Sequence, residues 1–390
     1  MYDFDKLINR SGTYSLKWDV PDGELPMWVA DMDLQTAPEI IAALRRRIDH
    51  GIYGYNIVPD EWYDSYISWW QKRHHVTLRR DSLMFCTGVI PAVSSIVRKL
   101  TTPNENVLML TPVYNTFFNS IANNGCRAVQ CDMIYDGNKY SIDFARLDKM
   151  LADPQTSFMI LCNPHNPTGN IWDKETLEKI GTLCKKHDVI IISDEIHCDL
   201  CDPGLEYTPF VSLPEELSDI SITCLAPTKT FNLAGIQTAA IYVLNKTLYH
   251  KVWRGINTDE VAEPNVLAVP AAIAAFNEGE KWLDELRSYI YENKRLVIRY
   301  LGENIPEMSV AESHATYLLW LDCTRLTQNT DKLADHIRKE GKLFLTAGSH
   351  YGKSGSGFLR MNIAAPRESV HEGLRRLGRA VNAAGEDVLC

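Results

Sequence analysis

Two ionisable side chains lie just beyond apolar runs that are typical of buried strands. Asp194 follows the run VIIIS, and Lys229 follows the run ISITCL after a short turn. A carboxylate at such a position is unfavourable unless it is paired or hydrogen-bonded. The lysine is either a solvated loop residue or an amine in a partly desolvated pocket, where a lowered pKa lets it form a Schiff base. In the second case, the pair indicates covalent catalysis by an amine next to a buried acid.

Three further apolar runs are followed by residues that could bind parts of one ligand. The run SLMFC precedes Gly88, Val89 and Ile90, a glycine turn at a helix start, where free N–H groups and the helix dipole can hold a phosphate. The run NVLML precedes Tyr114, which is either a core aromatic or a stacking platform. The run SFMILC precedes the loop NPHNPTG, whose two prolines stiffen the backbone around the amide of Asn166. Any one of these features alone is compatible with an ordinary turn or core position.

The order of apolar runs and helical stretches predicts the fold class. Runs without alternation suit strands that are buried on both faces, and the helical stretches between them indicate βαβ units. We therefore predict an α/β fold with a mostly parallel sheet. In such a sheet, ligands bind beyond the carboxyl ends of the strands, where the residues described above would meet.

A change in character near residue 285 predicts a second domain. A long amphipathic helix lies there, followed by a strand in ATYLLWLD, a helix, strands in KLFLTAG and GFLRMNIAA, and a last helix. We predict a large domain of residues 47–284 and a smaller α+β domain formed by residues 1–46 and 285–390.

The composition narrows the class of protein. The chain has 390 residues, of which 45% are hydrophobic and 23% charged, as is ordinary for a globular enzyme of two domains. A net charge of −10 argues against nucleic acid or an anionic membrane as the main partner. No apolar run is long enough to span a membrane, and the first residues lack the pattern of a signal peptide, so we expect a cytoplasmic protein.

The ten cysteines are spread mostly singly through the chain, as expected of small buried side chains in a reducing cytosol. Cys198 and Cys201 form one CxxC pair next to His197, but no second pair follows at the spacing of a zinc site. We predict no metal site, and a metal or redox role of this pair stays a minor alternative.

The five groups at the predicted strand ends together match the needs of pyridoxal phosphate. Its aldehyde requires a lysine, and its ring nitrogen requires a carboxylate that keeps it protonated as an electron sink. The phenolate oxygen requires a hydrogen-bond donor, the ring face a stacking partner, and the phosphate a helix N-terminus. We therefore predict pyridoxal phosphate as the cofactor.

Several motifs carry a family resemblance that covers nearly the whole chain. They include ELPMWVADMD, NPHNPTG, SDEIHCDL, APTKTFNLAG and FLRMNIAAPR. With these motifs the sequence resembles the fold-type-I pyridoxal-phosphate enzymes of aminotransferase class I and II, and most closely the MalY/PatB group of cystathionine β-lyases, or C–S lyases. The resemblance implies a mostly parallel sheet of seven strands in the large domain.

The resemblance implies a role for each residue around the cofactor ring. Lys229 forms the Schiff base, and Asp194 pairs with the pyridine nitrogen. Asn166 donates to the phenolate oxygen, and His197 occupies the position where many aminotransferases have a tyrosine on that oxygen. Tyr114 stacks on the ring.

At the phosphate, the resemblance implies the backbone of Val89 and Ile90, after Gly88, together with the hydroxyl of Thr228. Tyr55 is expected to reach the phosphate of the other subunit, which implies a homodimer with its active sites at the interface. Tyr53 is the alternative for that role.

Arg360 matches the arginine that binds the α-carboxylate of the substrate, a bidentate task for which its fork is suited. Without the resemblance, the alternation along this strand favours the solvent face of an edge strand for Arg360. Two positions depart from the aminotransferase pattern: Gln237 replaces an arginine on the phosphate, and Ala226 replaces a common serine. The set of phosphate-binding residues therefore stays open.

The resemblance implies a β-lyase that cleaves cystathionine, cystine or other cysteine S-conjugates to a thiol, pyruvate and ammonia. Two alternatives are an aminotransferase with the same cofactor machinery and a regulatory protein that binds pyridoxal phosphate without turnover. The sequence does not rank the cysteine conjugates.

Overall fold

The computed structural model of the chain describes residues 2–327, 329–385 and 388. Within these residues the α-helices are α1 (Pro38–Asp49), α2 (Asp60–His74), α3 (Val89–Leu100), α4 (Thr116–Ala122), α5 (Phe144–Leu151), α6 (Lys174–Lys186), α7 (Glu215–Ser218), α8 (Lys246–Thr258), α9 (Ala268–Glu278), α10 (Glu280–Asn304), α11 (Thr330–Gly341) and α12 (Arg367–Asn382). The strands are β1 (Leu25–Pro26), β2 (Leu83–Cys86), β3 (Asn106–Thr111), β4 (Arg127–Asp132), β5 (Ile134–Tyr135), β6 (Tyr140–Ser141), β7 (Thr156–Cys162), β8 (Ile190–Asp194), β9 (Ser221–Leu225), β10 (Ala239–Tyr242), β11 (Ser309–Val310), β12 (Leu318–Asp322), β13 (Leu343–Phe344), β14 (Thr346–Ala347) and β15 (Phe358–Asn362).

A seven-stranded sheet in the order β2-β10-β9-β8-β7-β3-β4 is the centre of the fold. The neighbours from β9 to β4 pair in parallel, whereas β10 runs antiparallel to both β2 and β9. Five of these strands coincide with the five predicted runs. The prediction of an α/β fold with a mostly parallel sheet is confirmed.

Two strands of this sheet, β4 and β10, were not recognised in the sequence. β4 is an edge strand with partly exposed side chains, so its sequence RAVQCD lacks the continuous apolar character of the central strands. β10 has the sequence AAIY, and alanine is depleted in strands generally. Burial between β2 and β9 makes a strand of this segment in spite of its composition.

Helices cover both faces of the large sheet. On one face, α3 and α8 pack through residues such as Val93 and Val252 onto the side chains of the strands. On the other face, α5 and α6 do so through Leu147 and Ile180. Because both faces are covered, the carboxyl edge of the sheet is the place where side chains can surround a ligand.

A smaller antiparallel sheet has the order β11-β12-β15-β14 and is wholly buried along β12 and β15. The prediction of one strand in KLFLTAG is wrong. The segment contains β13, which pairs in parallel with β1, and β14, which pairs with β15. The break between the two short strands lets the segment join two sheets.

Helix α10, of 25 residues, contains the predicted domain boundary near residue 285. Its Asn293 donates to the carbonyls of Ile363 and Ala365 in the C-terminal part of the chain. The division into two domains stays a prediction, and residues 1, 328, 386, 387, 389 and 390 of the predicted small domain lie outside the described residues. In the part of the chain that the structure describes, no helix is long and apolar enough to cross a membrane.

A buried ion pair fastens α10 to the segment that follows β8. Lys294 Nζ lies 2.6 Å from Asp202 Oδ2 and 2.9 Å from the Ser313 carbonyl oxygen. Lys294 and Asp202 are both nearly inaccessible to solvent.

We predict that Lys294→Met destabilises the protein by about 3–5 kcal/mol, because it leaves the Asp202 carboxylate buried without its cation. Urea denaturation followed by tryptophan fluorescence measures this change. Lys339→Met, at a side chain that is 81% exposed, is the control and should leave the midpoint unchanged. Equal midpoints for the two variants would contradict the role assigned to the pair.

Candidate active site

A cavity of about 310 Å³ lies at the carboxyl edge of the large sheet. Small-molecule sites typically have volumes of about 300–1,000 Å³. The predicted residues that line it are Gly88, Val89, Ile90, Tyr114, Asn166, Asp194, His197, Thr228 and Lys229. The other lining residues are Ala30, Thr87, Pro91, Cys162, Ile196, Ala234 and Gln237. The structure therefore brings the strand-end groups together in one place, whereas their individual roles stay proposals.

Lys229 points its amine into this cavity. Its Nζ donates to the carbonyl oxygen of Ala30 at 2.6 Å. Burial, and next the positive charge of Arg360, lower the pKa of Lys229 to about 8, against the opposing effect of Asp31 and Asp194. A lysine in this environment can lose its proton near neutral pH, which a nucleophile or general base requires.

Asp194 ends β8 and is almost completely buried, with 4% of its surface exposed. Its Oδ1 accepts a hydrogen bond of 3.1 Å from the backbone N–H of Ile196. Burial raises the pKa of Asp194 to about 6, although that hydrogen bond and Lys229 act in the opposite direction. The carboxylate therefore gains if a ligand presents a positively charged N–H to it.

Asn166 lines the cavity and contacts Arg360, which is not itself one of the lining residues. Arg360 Nη1 donates to Asn166 Oδ1 at 3.1 Å, and Nη2 donates to the carbonyl of Trp28 at 2.7 Å. The guanidinium lies over the ring of Tyr351, 4.9 Å from its centre. Since Oδ1 of Asn166 accepts from Arg360, its amide N–H groups remain available as donors to a ligand.

Arg360 is buried in the middle of the small sheet, between β12 and β14, and not on a solvent face. Its Nε is buried without a hydrogen-bond partner among the described residues. An unpaired donor of this kind is costly to bury, so the guanidinium can still bind an anion.

The loop NPHNPTG is held in shape by its own side chains. Asn163 Oδ1 accepts from the backbone N–H of Trp172 at 3.1 Å, and His165 Nδ1 lies 2.9 Å from Thr168 Oγ1. At Gly169, φ is +70° and a Cβ atom would collide with Ser313, so this position requires glycine. These constraints position the amide of Asn166.

His197 and Tyr114 line the cavity beside Asn166. Burial, together with the positive charges of Lys229 and Arg360, lowers the pKa of His197 to about 3, so the ring is neutral. Its Nδ1 is buried without a partner in the part of the chain that the structure describes. Tyr114 is held from behind by the edge of Phe117, at 5.6 Å between ring centres.

At the other end of the cavity, α3 begins at Val89 after Gly88, and no side chain of the described residues caps it. Its first residues, Val89 and Ile90, line the cavity together with Thr228. Gln237, at the position of the family's arginine, also lines the cavity. Because His197 is neutral, Lys229 is the only residue of this lining, among those that the structure describes, that can carry a full positive charge. An anion here therefore depends on N–H groups and the helix dipole.

Tyr55 and Tyr53 lie outside this cavity. Tyr55 is fully exposed, and Tyr53 is 58% exposed and donates to the carbonyl of Ile48 at 2.8 Å. Within one chain, neither tyrosine belongs to the site.

One part of the site was not recognised in the sequence, namely the backbone of residues 28–31. The carbonyls of Trp28 and Ala30 accept from Arg360 and Lys229, and the hydroxyl of Tyr317 also donates to Ala30, at 3.0 Å. Backbone groups leave no signature in residue types. The signal in the sequence that could have found this segment was the motif ELPMWVADMD, which supported the family resemblance although no function was assigned to its residues.

The CxxC segment, residues 198–201, is buried and is held by hydrogen bonds of Asp199. Asp199 Oδ1 accepts from the indole N–H of Trp69 at 3.0 Å and lies 2.9 Å from His74 Nε2, while Oδ2 accepts from Thr230 at 3.0 Å. Burial raises the pKa of the Cys198 thiol well above its usual range. Asp199 thus anchors Thr230, the neighbour of Lys229.

Comparison with known proteins identifies the family. The chain matches the family model of aminotransferase class I and II over residues 29–377. It is 38% identical to the cystathionine beta-lyase PatB of Bacillus subtilis (strain 168) over 387 residues, which cover 97% of this chain and 100% of that protein. It is 31% identical to Protein MalY of Escherichia coli (strain K12) over 393 residues, which cover 98% of this chain and 100% of that protein.

A solved structure shows the same fold. The crystal structure of cystalysin from Treponema denticola, which contains a pyridoxal 5'-phosphate cofactor, matches with a TM-score of 0.95 at 33% identity and covers 98% of this chain and 99% of that chain. This chain therefore belongs to the aminotransferase class I and II family, and within it to the group that contains PatB and MalY. The predicted family and the predicted fold-type-I fold are confirmed.

We predict that Lys229 in the cofactor-free protein titrates near pH 8, as its environment indicates. A lysine in a model peptide has a pKa of about 10.4. Competitive labelling with acetic anhydride at a series of pH values, with mass spectrometry of the Lys229 peptide and of an added model peptide, measures the difference. A midpoint equal to that of the model peptide would contradict the desolvated pocket.

Proposed function

We propose that this chain is a pyridoxal-phosphate-dependent carbon–sulfur β-lyase that cleaves cystathionine or related cysteine S-conjugates to a thiol, pyruvate and ammonia. The observation that carries the proposal is the meeting of Lys229, Asp194 and Asn166 in one cavity, with Arg360 bonded to Asn166 just behind the lining. The similarity to PatB and to cystalysin supports the lyase reaction within the family.

The donor set of the cavity fits the cofactor. Asp194 is a buried acid that benefits from a cationic N–H, and this is what a protonated pyridine ring provides. Asn166 offers an amide N–H, and the buried Nδ1 of His197 has no partner among the described residues, so both can serve an oxygen on the ring. The free N-terminus of α3 suits the phosphate, and Tyr114 suits the ring face.

In this arrangement each residue of the chain has a defined task. When bound, pyridoxal phosphate supplies an electron sink next to the Cα atom of the amino acid. Asp194 would keep the ring nitrogen protonated, and the neutral His197 would place no further positive charge beside the ring oxygen. Lys229 would hold the cofactor through its aldehyde.

Lys229 is then the general base that removes the Cα proton. Its lowered pKa favours the neutral amine that this step requires, and the carbonyl of Ala30 can accept from the ammonium that results. Loss of the Cα proton allows the bond between Cβ and sulfur to break, and the sulfur leaves as a thiolate. Water releases the remaining three-carbon fragment as pyruvate and ammonia.

Arg360 binds the α-carboxylate of the substrate. Its guanidinium is held by a neutral amide and a backbone carbonyl, and its Nε has no partner among the described residues. A carboxylate therefore replaces weaker acceptors with a charge-assisted pair.

Product analysis tests the proposed function directly. The holoenzyme is incubated with cystathionine and no added 2-oxo acid, and pyruvate and free thiol are quantified. The proposal predicts equal amounts of both over many turnovers. An aminotransferase would instead require an oxo acid and would leave the carbon–sulfur bond intact. Lys229→Ala is the control, since any pyruvate formed with this variant does not depend on the catalytic lysine.

We predict that Arg360→Ala lowers kcat/KM for cystathionine by about a hundredfold, roughly 3 kcal/mol, because a desolvated charge-assisted pair is lost. Arg360→Lys keeps the charge without the fork and should mainly raise KM. Both variants should keep the visible absorbance of bound cofactor. Steady-state kinetics of both variants measure the effect, and an unchanged kcat/KM in Arg360→Ala would remove this residue from the site.

We also propose that the protein acts as a homodimer in which Tyr55 of one subunit reaches the phosphate at the other subunit's cavity. Tyr55 is fully exposed in the single chain, and it lies between the exposed side chains of Ile52, Tyr53 and Ile57. A contiguous exposed apolar segment of this kind is typical of an interface. The scarcity of positive charge at the phosphate end of the cavity supports a contribution from a second chain.

Subunit mixing tests this geometry. The Tyr55→Phe and Lys229→Ala variants are purified separately, and each should be inactive or weakly active at limiting cofactor. They are then unfolded and refolded together in equal amounts. If Tyr55 acts across the interface, each mixed dimer has one intact site, so about a quarter of the wild-type activity should return. No gain over the separate variants would show that Tyr55 acts in its own subunit or not at all, and Tyr53→Phe is the matched control.

We propose a reducing, cytoplasmic location for the protein. Nine cysteines of the described residues are free and buried, including the CxxC pair Cys198 and Cys201. Free thiols in such numbers are typical of proteins kept in a reducing compartment.

A further inference from the structure

A network of charged residues lies next to the active site but outside the cavity. Arg10 Nη2 lies 2.8 Å from Asp31 Oδ2, and Arg10 Nη1 lies 2.6 Å from Asp33 Oδ1. Lys17 Nζ lies 2.7 Å from Asp33 Oδ2, and the indole of Trp18 donates to Asp33 Oδ1 at 2.8 Å. We name Arg10, Lys17 and Trp18 the N-terminal clasp.

The ion pair between Lys17 of the clasp and Asp33 is buried. Lys17 is only 1% exposed and Asp33 is 7% exposed. A buried ion pair is poor evidence for stability, because well-packed apolar residues at the same place are often as good or better. What such a pair does provide is a fixed geometry for the backbone that carries it, a role that has to be demonstrated in each protein.

The backbone that the clasp holds is residues 28–33, which we name the carbonyl loop. Its carbonyl oxygens accept hydrogen bonds from the site: Trp28 from Arg360 at 2.7 Å, and Ala30 from Lys229 at 2.6 Å. Asn362, two residues beyond Arg360 on β15, donates to the carbonyls of Val29 and Asp31, each at 2.6 Å. The loop thus joins the substrate-binding strand to the catalytic lysine.

We propose that the N-terminal clasp is a positioning element of the active site, which holds the Ala30 carbonyl in place as the partner of the Lys229 amine whenever that amine is not bonded to the cofactor. The clasp residues touch neither the cavity nor the amine, so they act through the carbonyl loop. The catalytic consequence rests on the proposed lyase function, whereas the placement of the amine does not.

The contacts of Ala30 explain why the position of its carbonyl matters. The oxygen accepts from both Lys229 and Tyr317, so the amine is fixed against a rigid buried side chain. The charged groups around the amine are Asp31 of the loop, Asp194 of β8 and Arg360 of β15, with the neutral His197 nearby. If the loop shifts, the amine loses its acceptor and becomes free to rotate in the cavity, and misplacement of a catalytic group slows the reaction.

The experiment compares Arg10→Gln with Arg376→Gln as a matched control. The two arginines are 21% and 20% exposed, and Arg376 also binds the N-terminal segment, at the carbonyl of Gly23, but it does not contact the carbonyl loop. The first measurement is acetic anhydride labelling of Lys229 in the full-length chain after the cofactor has been removed. The second is kcat of the holoenzyme with cystathionine, and melting temperatures are recorded for both variants.

The proposal predicts that labelling of Lys229 rises roughly threefold and kcat falls roughly tenfold in Arg10→Gln, with both close to wild type in Arg376→Gln. Arg10→Lys, which keeps the charge but loses the planar fork, should lie between wild type and Arg10→Gln. A lower melting temperature in Arg10→Gln with wild-type labelling would overturn the proposal, as would equal effects in Arg10→Gln and Arg376→Gln.

Two further outcomes are decided by the same design. If Arg10→Gln does not fold, Arg10→Lys alone carries the test, and labelling of Lys229 at the wild-type level in Arg10→Lys overturns the proposal. If the wild-type holoenzyme releases no pyruvate, the proposed lyase function fails, while the labelling of the cofactor-free chain still decides whether the clasp positions Lys229.

Discussion

The site depends on two opposite charges, Asp194 and Lys229, that the fold removes from bulk water at one edge of a sheet. Burial raises the pKa of the acid to about 6 and lowers the pKa of the amine to about 8, so the charged form of each group is less favourable than it is in water. Desolvation of this kind is unfavourable for folding but makes both groups reactive towards a ligand that completes them. A ring that offers an N–H to the acid and an aldehyde to the amine is such a ligand.

The rest of the molecule keeps these two groups in register. Parallel strands β7, β8 and β9 end at the same edge, and helices on both faces leave that edge as the place for a cavity. Asp199 anchors Thr230 next to the lysine, and the loop around Asn163 is locked by its own side chains. The small sheet places Arg360 beside the lining residue Asn166, and Arg360 bonds to Asn166 and to the carbonyl of Trp28.

Much of this arrangement could be predicted from the sequence, because buried parallel strands are recognisable as continuous apolar runs. The carboxyl ends of such strands lie at the same edge of the sheet, so the residues that follow them are expected to lie close together. The residues Asp194, Asn166 and Lys229 were found in this way, since their polar character stands out after apolar strands. Arg360 required the family resemblance, because alternation along its strand does not tell a buried face from a solvent face.

The parts that the sequence did not predict depend on contacts distant in the chain. β10 is a strand because β2 and β9 enclose it, and its alanines carry no strand signal of their own. The carbonyl of Ala30 could not be identified, because every residue has a carbonyl and only the folded chain selects one. Tyr55 lies outside the cavity of its own chain, and the role proposed for it requires a second copy that a single sequence does not display.

The most direct test of this account is the substitution Asp194→Asn, which keeps the volume of the side chain and its hydrogen bond from Ile196 but removes the charge. Cofactor affinity is measured by fluorescence titration, and carbon–sulfur cleavage by thiol release, with Asp148→Asn at an acid distant from the cavity as control. The account predicts roughly tenfold weaker cofactor binding and at least about a hundredfold slower cleavage. Cleavage within about twofold of wild type, less than 0.5 kcal/mol in the barrier, would contradict the central role of the buried acid.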